Sequence, residues 1–199
     1  FQTGKFDASR TLAVAGHPVS TPCYFKTMIG AALLPLLKDV GVENTATLRV
    51  INGDVLSGTE TSADSYVGYY NNTLSVLPEG NRYRMFGWLP FVGPKLHSMS
   101  NTSLSWLFPK RVYSPDTNLN GEERALVVTG EMERVFPMDI FPMQLLKACM
   151  ANDIEKMEQL GIYEVAPEDF ALIDYTSSSK IEAQAIIREA LDLMYKEVG

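Results

Sequence analysis

Apolar and polar positions fall into two kinds of pattern along this chain. In the first half short strand-like runs of apolar residues fall at 11–15, 23–27, 47–51 and 74–77. The run at 31–38 is opened by Gly30 and closed by Gly41, and predicts one short helix with Pro35 in its first turns. Asn52-Gly53, directly after the third run, is a two-residue hairpin signal. Pro78-Glu79-Gly80-Asn81 is placed to turn the 74–77 strand onto a partner at 83–88.

Beyond Asp139 the period changes to three and four, and helix boundaries become frequent. Asp139 is a candidate cap for a helix with Phe141, Leu145 and Cys149 on one face, and Pro142 falls in its tolerant first turn. Asn152 with Glu155 predicts the next start, and Leu160-Gly161 its stop. Pro167, Glu168 and Asp169 open a short helix, since proline costs least there and acids suit the positive dipole end. Ser179 and Glu182 form an S-x-x-E box before a last helix that puts Ala183, Ile187, Ala190, Met194 and Val198 on one stripe.

Composition fits a globular piece: 199 residues, 46% hydrophobic and 21% charged, with room for one or two cores. No stretch approaches the roughly 18–20 consecutive apolar residues of a membrane span. Phe1-Gln2-Thr3-Gly4-Lys5 has neither an initiator methionine nor an apolar leader, so an excised C-terminal fragment is expected.

The net charge of −7 is unevenly placed. Residues 1–130 carry 11 Lys or Arg against 10 Asp or Glu, while residues 131–199 carry 6 against 14. Between Glu79 and Asp116 there is no acid, yet Arg82, Arg84, Lys95, Lys110 and Arg111 are interleaved with Phe86, Trp88, Trp106 and Phe108. Such a stretch suits anionic lipid headgroups or the acidic face of a partner, and Arg82, Arg84, Trp88, Lys95, Trp106, Lys110 and Arg111 are its candidate interface residues. A solvated loop over core aromatics accounts for the same residues. Nucleic acid is not expected, given a pI near 4.9 and no recognised motif.

Candidates for chemistry are few. Cys23 and Cys149 form no ligand pattern and read as free, buried thiols. His17 and His97 are isolated, and Asp54 and Asp64 lack partners at acid–base spacing. The glycines make no G-x-G-x-x-G or Walker pattern, and Asn52-Gly53 and Gly58 read as turn residues. No catalytic residue and no metal ligand is assigned.

The most informative spacing lies in the last third. A bacterial cluster-binding run has the form C-x2-C-x2-C-x3-C-P. Ending one such frame at Phe136-Pro137 places its ligand positions at Leu126, Thr129, Met132 and Phe136, and ending a second at Ser177 places them at Pro167, Phe170, Ile173 and Ser177. None of these side chains holds iron. The frames lie 41 positions apart, so Ile140 of the first falls on Ile181 of the second. An ordinary helical subdomain accounts for the same periodicity.

Three ordered sets of residues carry a family resemblance across nearly the whole chain. They are Arg49-Val50-Ile51-Asn52-Gly53-Asp54-Val55-Leu56-Ser57-Gly58; then Gly68-Tyr69-Tyr70-Asn71-Asn72 with Phe86-Gly87-Trp88; then Arg134-Val135-Phe136-Pro137-Met138-Asp139-Ile140 with Leu160-Gly161 and Ser179-Lys180. In this order they resemble the C-terminal part of the NqrA component of the sodium-translocating NADH:quinone reductases (Nqr complexes), and the last set is similar to the C component of the Rnf complexes, where the cysteines are present.

The resemblance implies an α+β fold: the end of a barrel-sandwich domain at 1–21, a small β-grasp ligand-binding-like (SLBB) module at 22–70, returning strands and the basic, aromatic connector at 71–130, and a helical domain at 131–199 built like a two-cluster ferredoxin frame without clusters. It further implies a peripheral, non-catalytic docking role on the cytoplasmic side of the bacterial inner membrane. The partners are the other subunits of a complex that works with NADH, flavins, an iron centre and quinone, of which the flavins and the iron centre belong to other subunits and quinone is a possible partner; contact with the membrane runs through that complex or through the basic, aromatic surface. The alternative is a quinone- or small-ligand-binding module built on the β-grasp.

Overall fold

The computed structural model describes residues 4–82, 84, 85, 97 and 104–198. The chain divides into two compact units, one of residues 1–82 with 114–118 and one of residues 83–113 with 119–199.

The first unit is a mixed sheet of five strands: β1 (Ser9–Ala15), β2 (Cys23–Met28), β3 (Leu48–Asn52), β4 (Thr59–Thr61) and β5 (Thr73–Pro78), in the order β2-β1-β5-β3-β4. β1 runs parallel to β5, and every other neighbouring pair is antiparallel. Burial alternates along β1, and one face of the sheet is covered. Leu12, Val14, Val50, Leu74 and Val76 point to one side and meet α1 (Leu33–Asp39) through Leu33, Leu36 and Leu37. Ala32 offers α1 no capping side chain, so backbone substitutes: the Leu33 amide donates to the Ser65 carbonyl at 3.0 Å.

Two features tie the ends of these strands together. Gly16, at φ 143°, ends β1 where β5 passes, and a Cβ there would run into the Val76 carbonyl. Across the sheet, Arg49 on β3 donates to both carboxylate oxygens of Glu79 at 2.9 and 2.7 Å, and Thr117 donates to the same carboxylate at 3.0 Å. Thr117 also accepts the Gly80 amide, which fixes residues 114–118 against the end of β5.

Asn52-Gly53 is not a two-residue hairpin turn. Asn52 pairs with Thr59, so the connection from β3 to β4 is the loop 53–58, with Gly53 at φ 110° at its start. Asp54 organises that loop locally, accepting the Leu56 and Ser57 amides at 2.7 and 2.9 Å. β5 pairs with β1 and β3; most of the partner expected at 83–88 lies outside the described residues.

The second unit is helical where it is regular: α2 (Pro142–Met150), α3 (Ile154–Gln159), α4 (Ala171–Thr176) and α5 (Ala183–Glu197), with short 3-10 turns at Leu104–Leu107, Met132–Arg134, Ile162–Glu164 and Pro167–Phe170. Met143, Leu145, Leu146 and Cys149 of α2 and Ala183, Ile187, Ala190 and Met194 of α5 share one core. Val198, at the end of the expected stripe, is exposed.

Three expected caps are replaced. Asp139 does not cap α2; Phe141 holds that position with no side-chain bond, and its ring is exposed. α3 is capped by Asp153, which accepts the Lys156 amide at 3.2 Å, because Asn152 has turned left-handed at φ 53°. α5 is capped from outside its own sequence: Asp174 of α4 accepts the Ala183 amide and, at 2.8 Å, the Gln184 side-chain amide. Ser179 instead donates to the Ala125 carbonyl at 3.2 Å, while its own carbonyl accepts the Arg124 amide. The Leu160-Gly161 stop stands, with Gly161 left-handed at φ 88°.

Burial pushes the Asp174 carboxyl above the usual carboxylate range. Asp174→Ala should lower stability by about 1 kcal/mol in denaturant unfolding, because it orphans the first amides of α5. As pH rises from the unfolded carboxylate value through the raised folded one, the folded state holds more protons, so wild type should lose stability relative to Asp174→Asn. A Ser179→Ala variant that costs more than Asp174→Ala would contradict the assignment.

Candidate functional site

The cluster-like frames converge on packing. Met132, Phe136, Phe170 and Ile173 are all buried in the one helical core, and the rings of Phe136 and Phe170 lie 4.8 Å apart. Leu126 packs against the same core and Thr129 is exposed. Ser177 is buried, and its hydroxyl has no hydrogen-bond partner. Beside it the remaining space is only about 10 Å³, bounded by Met132, Met143 and the serines 177–179 among others. That is about one water's worth of room. Among the described residues no three His, Cys, Asp or Glu side chains come together as a metal site.

The remaining titratable candidates are apart from one another. His17 shares a 3.1 Å contact with the Ser114 hydroxyl, and His97 stacks against Tyr175 and meets Tyr113 edge-on. Cys149 is buried in α2, and desolvation pushes its thiol up to about 11. Cys23 is only half buried, which departs from the expected pair of buried thiols.

The sheet unit holds an open pocket of about 250 Å³ between the 53–58 loop and residues 70–73. Asn52, Asp54, Ser57, Thr59, Asn71 and Asn72 contribute to its wall. The Asp54 carboxylate is already engaged, since Ser57 donates to it through hydroxyl and amide and holds it below the usual carboxylate range. Ligand sites for apolar ring systems are walled mainly by apolar and aromatic groups. Tyr70 adds one aromatic ring to this mostly polar wall, which suits a small polar ligand better than a quinone ring.

The basic and aromatic candidates are distributed between the units. Arg82 is exposed in the sheet unit, where its amide donates to Asn118 at 2.9 Å. Arg84, Trp106, Lys110 and Arg111 belong to the helical unit, and Trp106 and Lys110 are exposed. Trp88 and Lys95 lie outside the described residues. The Asp174 cap and the stranded Ser177 hydroxyl had no sequence signal, because each depends on a contact made only after folding.

Fold and site together define an α+β module joined to a helical unit whose core is side chain throughout. Residues 11–63 match the family model described as NQRA C-terminal domain. Over 99% of its length the chain is 39% identical to the A component of the sodium-translocating NADH-quinone reductase of Marinomonas sp. (strain MWYL1), and 36% identical to that of Psychromonas ingrahamii. The corresponding component from Rhodopirellula baltica is 36% identical over 98% of the chain. The resemblance read from the sequence therefore holds from end to end. The chain spans 43–44% of the length of these relatives.

The burial of Cys149 predicts its reactivity. Folded chain at neutral pH should consume one equivalent of a disulfide-exchange thiol reagent, at Cys23, and a second only in denaturant. Rapid uptake of two equivalents by the folded chain would contradict the packing of α2.

Proposed function

We propose that this chain is a C-terminal portion of the NqrA component of a respiratory sodium-translocating NADH:quinone oxidoreductase, where it serves as a docking and scaffolding element and carries no electrons itself. The observation that supports the docking role best is the apolar packing at the cluster-like positions, above all Phe136 against Phe170, in a chain similar over its whole length to the NqrA proteins. In this reading the flavins and the iron centre belong to the rest of the complex, which couples NADH oxidation and quinone reduction to sodium export.

The chain sits peripherally on the cytoplasmic side of the inner membrane. Among the described residues no helix is long and apolar enough to cross a bilayer. The first unit is read as a β-grasp, supported by the order β2-β1-β5-β3-β4 with its parallel β1–β5 pair and by the domain match. The chain is read as four parts divided at residues 21, 70 and 130, with β1 from the first part and β5 from the third hydrogen-bonded into the same sheet. Residues 131–199 are read as a ferredoxin-like frame whose cluster space is filled by side chains. Docking is assigned to Arg82, Arg84, Trp88, Lys95, Trp106, Lys110 and Arg111.

Affinity co-purification of the full-length tagged parent protein from its host membranes tests this. Removing residues 131–199, or replacing Arg82, Arg84 and Lys95 by glutamate, is expected to release the membrane subunits. Undiminished recovery of those subunits with both variants would refute the docking role.

A further inference from the structure

Residues 104–112 present a surface that the described residues of the helical unit leave uncovered. Leu104–Leu107 form one 3-10 turn in which only Ser105 is buried. Leu104, Trp106, Leu107 and the following Phe108 are each between 43% and 55% exposed, and Val112 is 91% exposed. A 3-10 turn can bury one side by placing residues i and i+3 together. Here Leu104 and Leu107 are such a pair, and both face water, so the turn spends its most apolar positions outside the core. Single exposed apolar residues need no explanation, but four of five consecutive positions form a patch.

Along the sequence, the charge of this segment has one sign. Lys110 is exposed, and the Arg111 guanidinium lies 5.9 Å from the centre of the Phe108 ring. From Gly80 to Pro115 the sequence contains five Lys or Arg and no Asp or Glu, within a chain of net charge −7. An acidic protein as a whole is repelled by an anionic surface, so a local stretch cleared of acids is where it could approach one.

The combination distinguishes a bilayer from a protein partner. Protein interfaces concentrate aromatics at the centre and are depleted in lysine. Interfacial membrane segments put Trp, Phe and Leu on one side at the headgroup–acyl boundary and keep Lys and Arg beside them, their stems along the apolar layer and their charges on phosphate. We propose that residues 104–111 form a membrane-contact loop. Leu104, Trp106, Leu107 and Phe108 enter the interfacial layer of an anionic phospholipid bilayer, and Lys110 and Arg111 engage its phosphates.

This deepens the docking role proposed above and takes its biological setting from it. One short loop gives weak, reversible attachment, as a single lipid anchor does. Its effect in a complex is to orient the protein, because tethering by neighbouring subunits raises the effective lipid concentration at the loop.

The test is co-sedimentation of the purified chain with vesicles of phosphatidylcholine alone and of phosphatidylcholine with phosphatidylglycerol. Binding to the anionic vesicles is expected, weakening as salt rises, with little binding to the neutral ones. Lys110→Ala with Arg111→Ala should reduce partition about thirtyfold, the loss expected for two surface charges. Trp106→Ser with Phe108→Ser should remove it, with circular dichroism and melting unchanged.

In a Trp88→Phe chain Trp106 is the one remaining tryptophan, and brominated lipid should quench its emission. Absence of binding to anionic vesicles, or binding unaffected by either pair of substitutions, overturns the proposal. If vesicle binding is absent while the Trp106 and Phe108 substitutions release membrane subunits in co-purification, the surface meets protein and the lipid assignment is wrong. If vesicle binding holds while the 131–199 truncation releases nothing, the docking role fails and the lipid contact stands.

Discussion

The contact between Phe136 and Phe170, with Met132 and Ile173 beside it, is what the helical unit depends on. Its helices have 9, 6, 6 and 15 residues. Isolated helices shorter than about 12–15 residues are marginal in water, so three of the four owe their existence to what they pack against. Both cysteines are free, and neither a disulfide nor a cluster of metal ligands is present among the described residues to take over that work. Apolar side chains arriving from two separated turns, one ahead of α2 and one ahead of α4, close the core instead.

Around that core the polar bonding is arranged between elements. Asp174 leaves α4 to cap α5, and Arg124 and Ala125 engage the backbone and hydroxyl of Ser179. The Ser179–Ala125 bond spans 54 residues and the Asp174 cap 9, so each ties one element to another. The sheet unit follows the same logic with different parts: Arg49, Glu79 and Thr117 connect β3, the end of β5 and a segment nearly forty residues further on. The Arg49–Glu79 pair is half-buried and bidentate, so it fixes register and position more firmly than the exposed pairs that add only about 0–1 kcal/mol. A scaffold needs that kind of order more than it needs a reactive group.

Much of this was legible in the sequence where the signal is local. Strand-like apolar runs placed β1, β2, β3 and β5, and Pro142, Pro167 and Leu160-Gly161 marked helix limits that the structure keeps. The misses are of another kind. Asn52-Gly53 has the chemistry of a tight turn, but Asp54 holds the next residues in a longer loop. Ser179 and Glu182 have capping-box spacing, yet a better acceptor arrives from α4. Asn152 was one residue early because it is left-handed and passes the cap to Asp153. As for the candidate site, spacing identified the cluster-like positions, whereas their shared burial, the idle Ser177 hydroxyl and the exposed turn at 104–107 appear only in three dimensions.

Two features carry the proposed role: a helical unit whose core is closed by apolar side chains, and an outer surface left for attachment. Thermal unfolding of the purified chain with and without a strong iron chelator, alongside its iron content and visible spectrum, tests the first of them head-on. A core closed by side chains predicts a colourless protein with no stoichiometric iron and one melting curve that the chelator does not move. A brown protein whose iron approaches stoichiometry, and whose melting temperature falls on chelation, would contradict it.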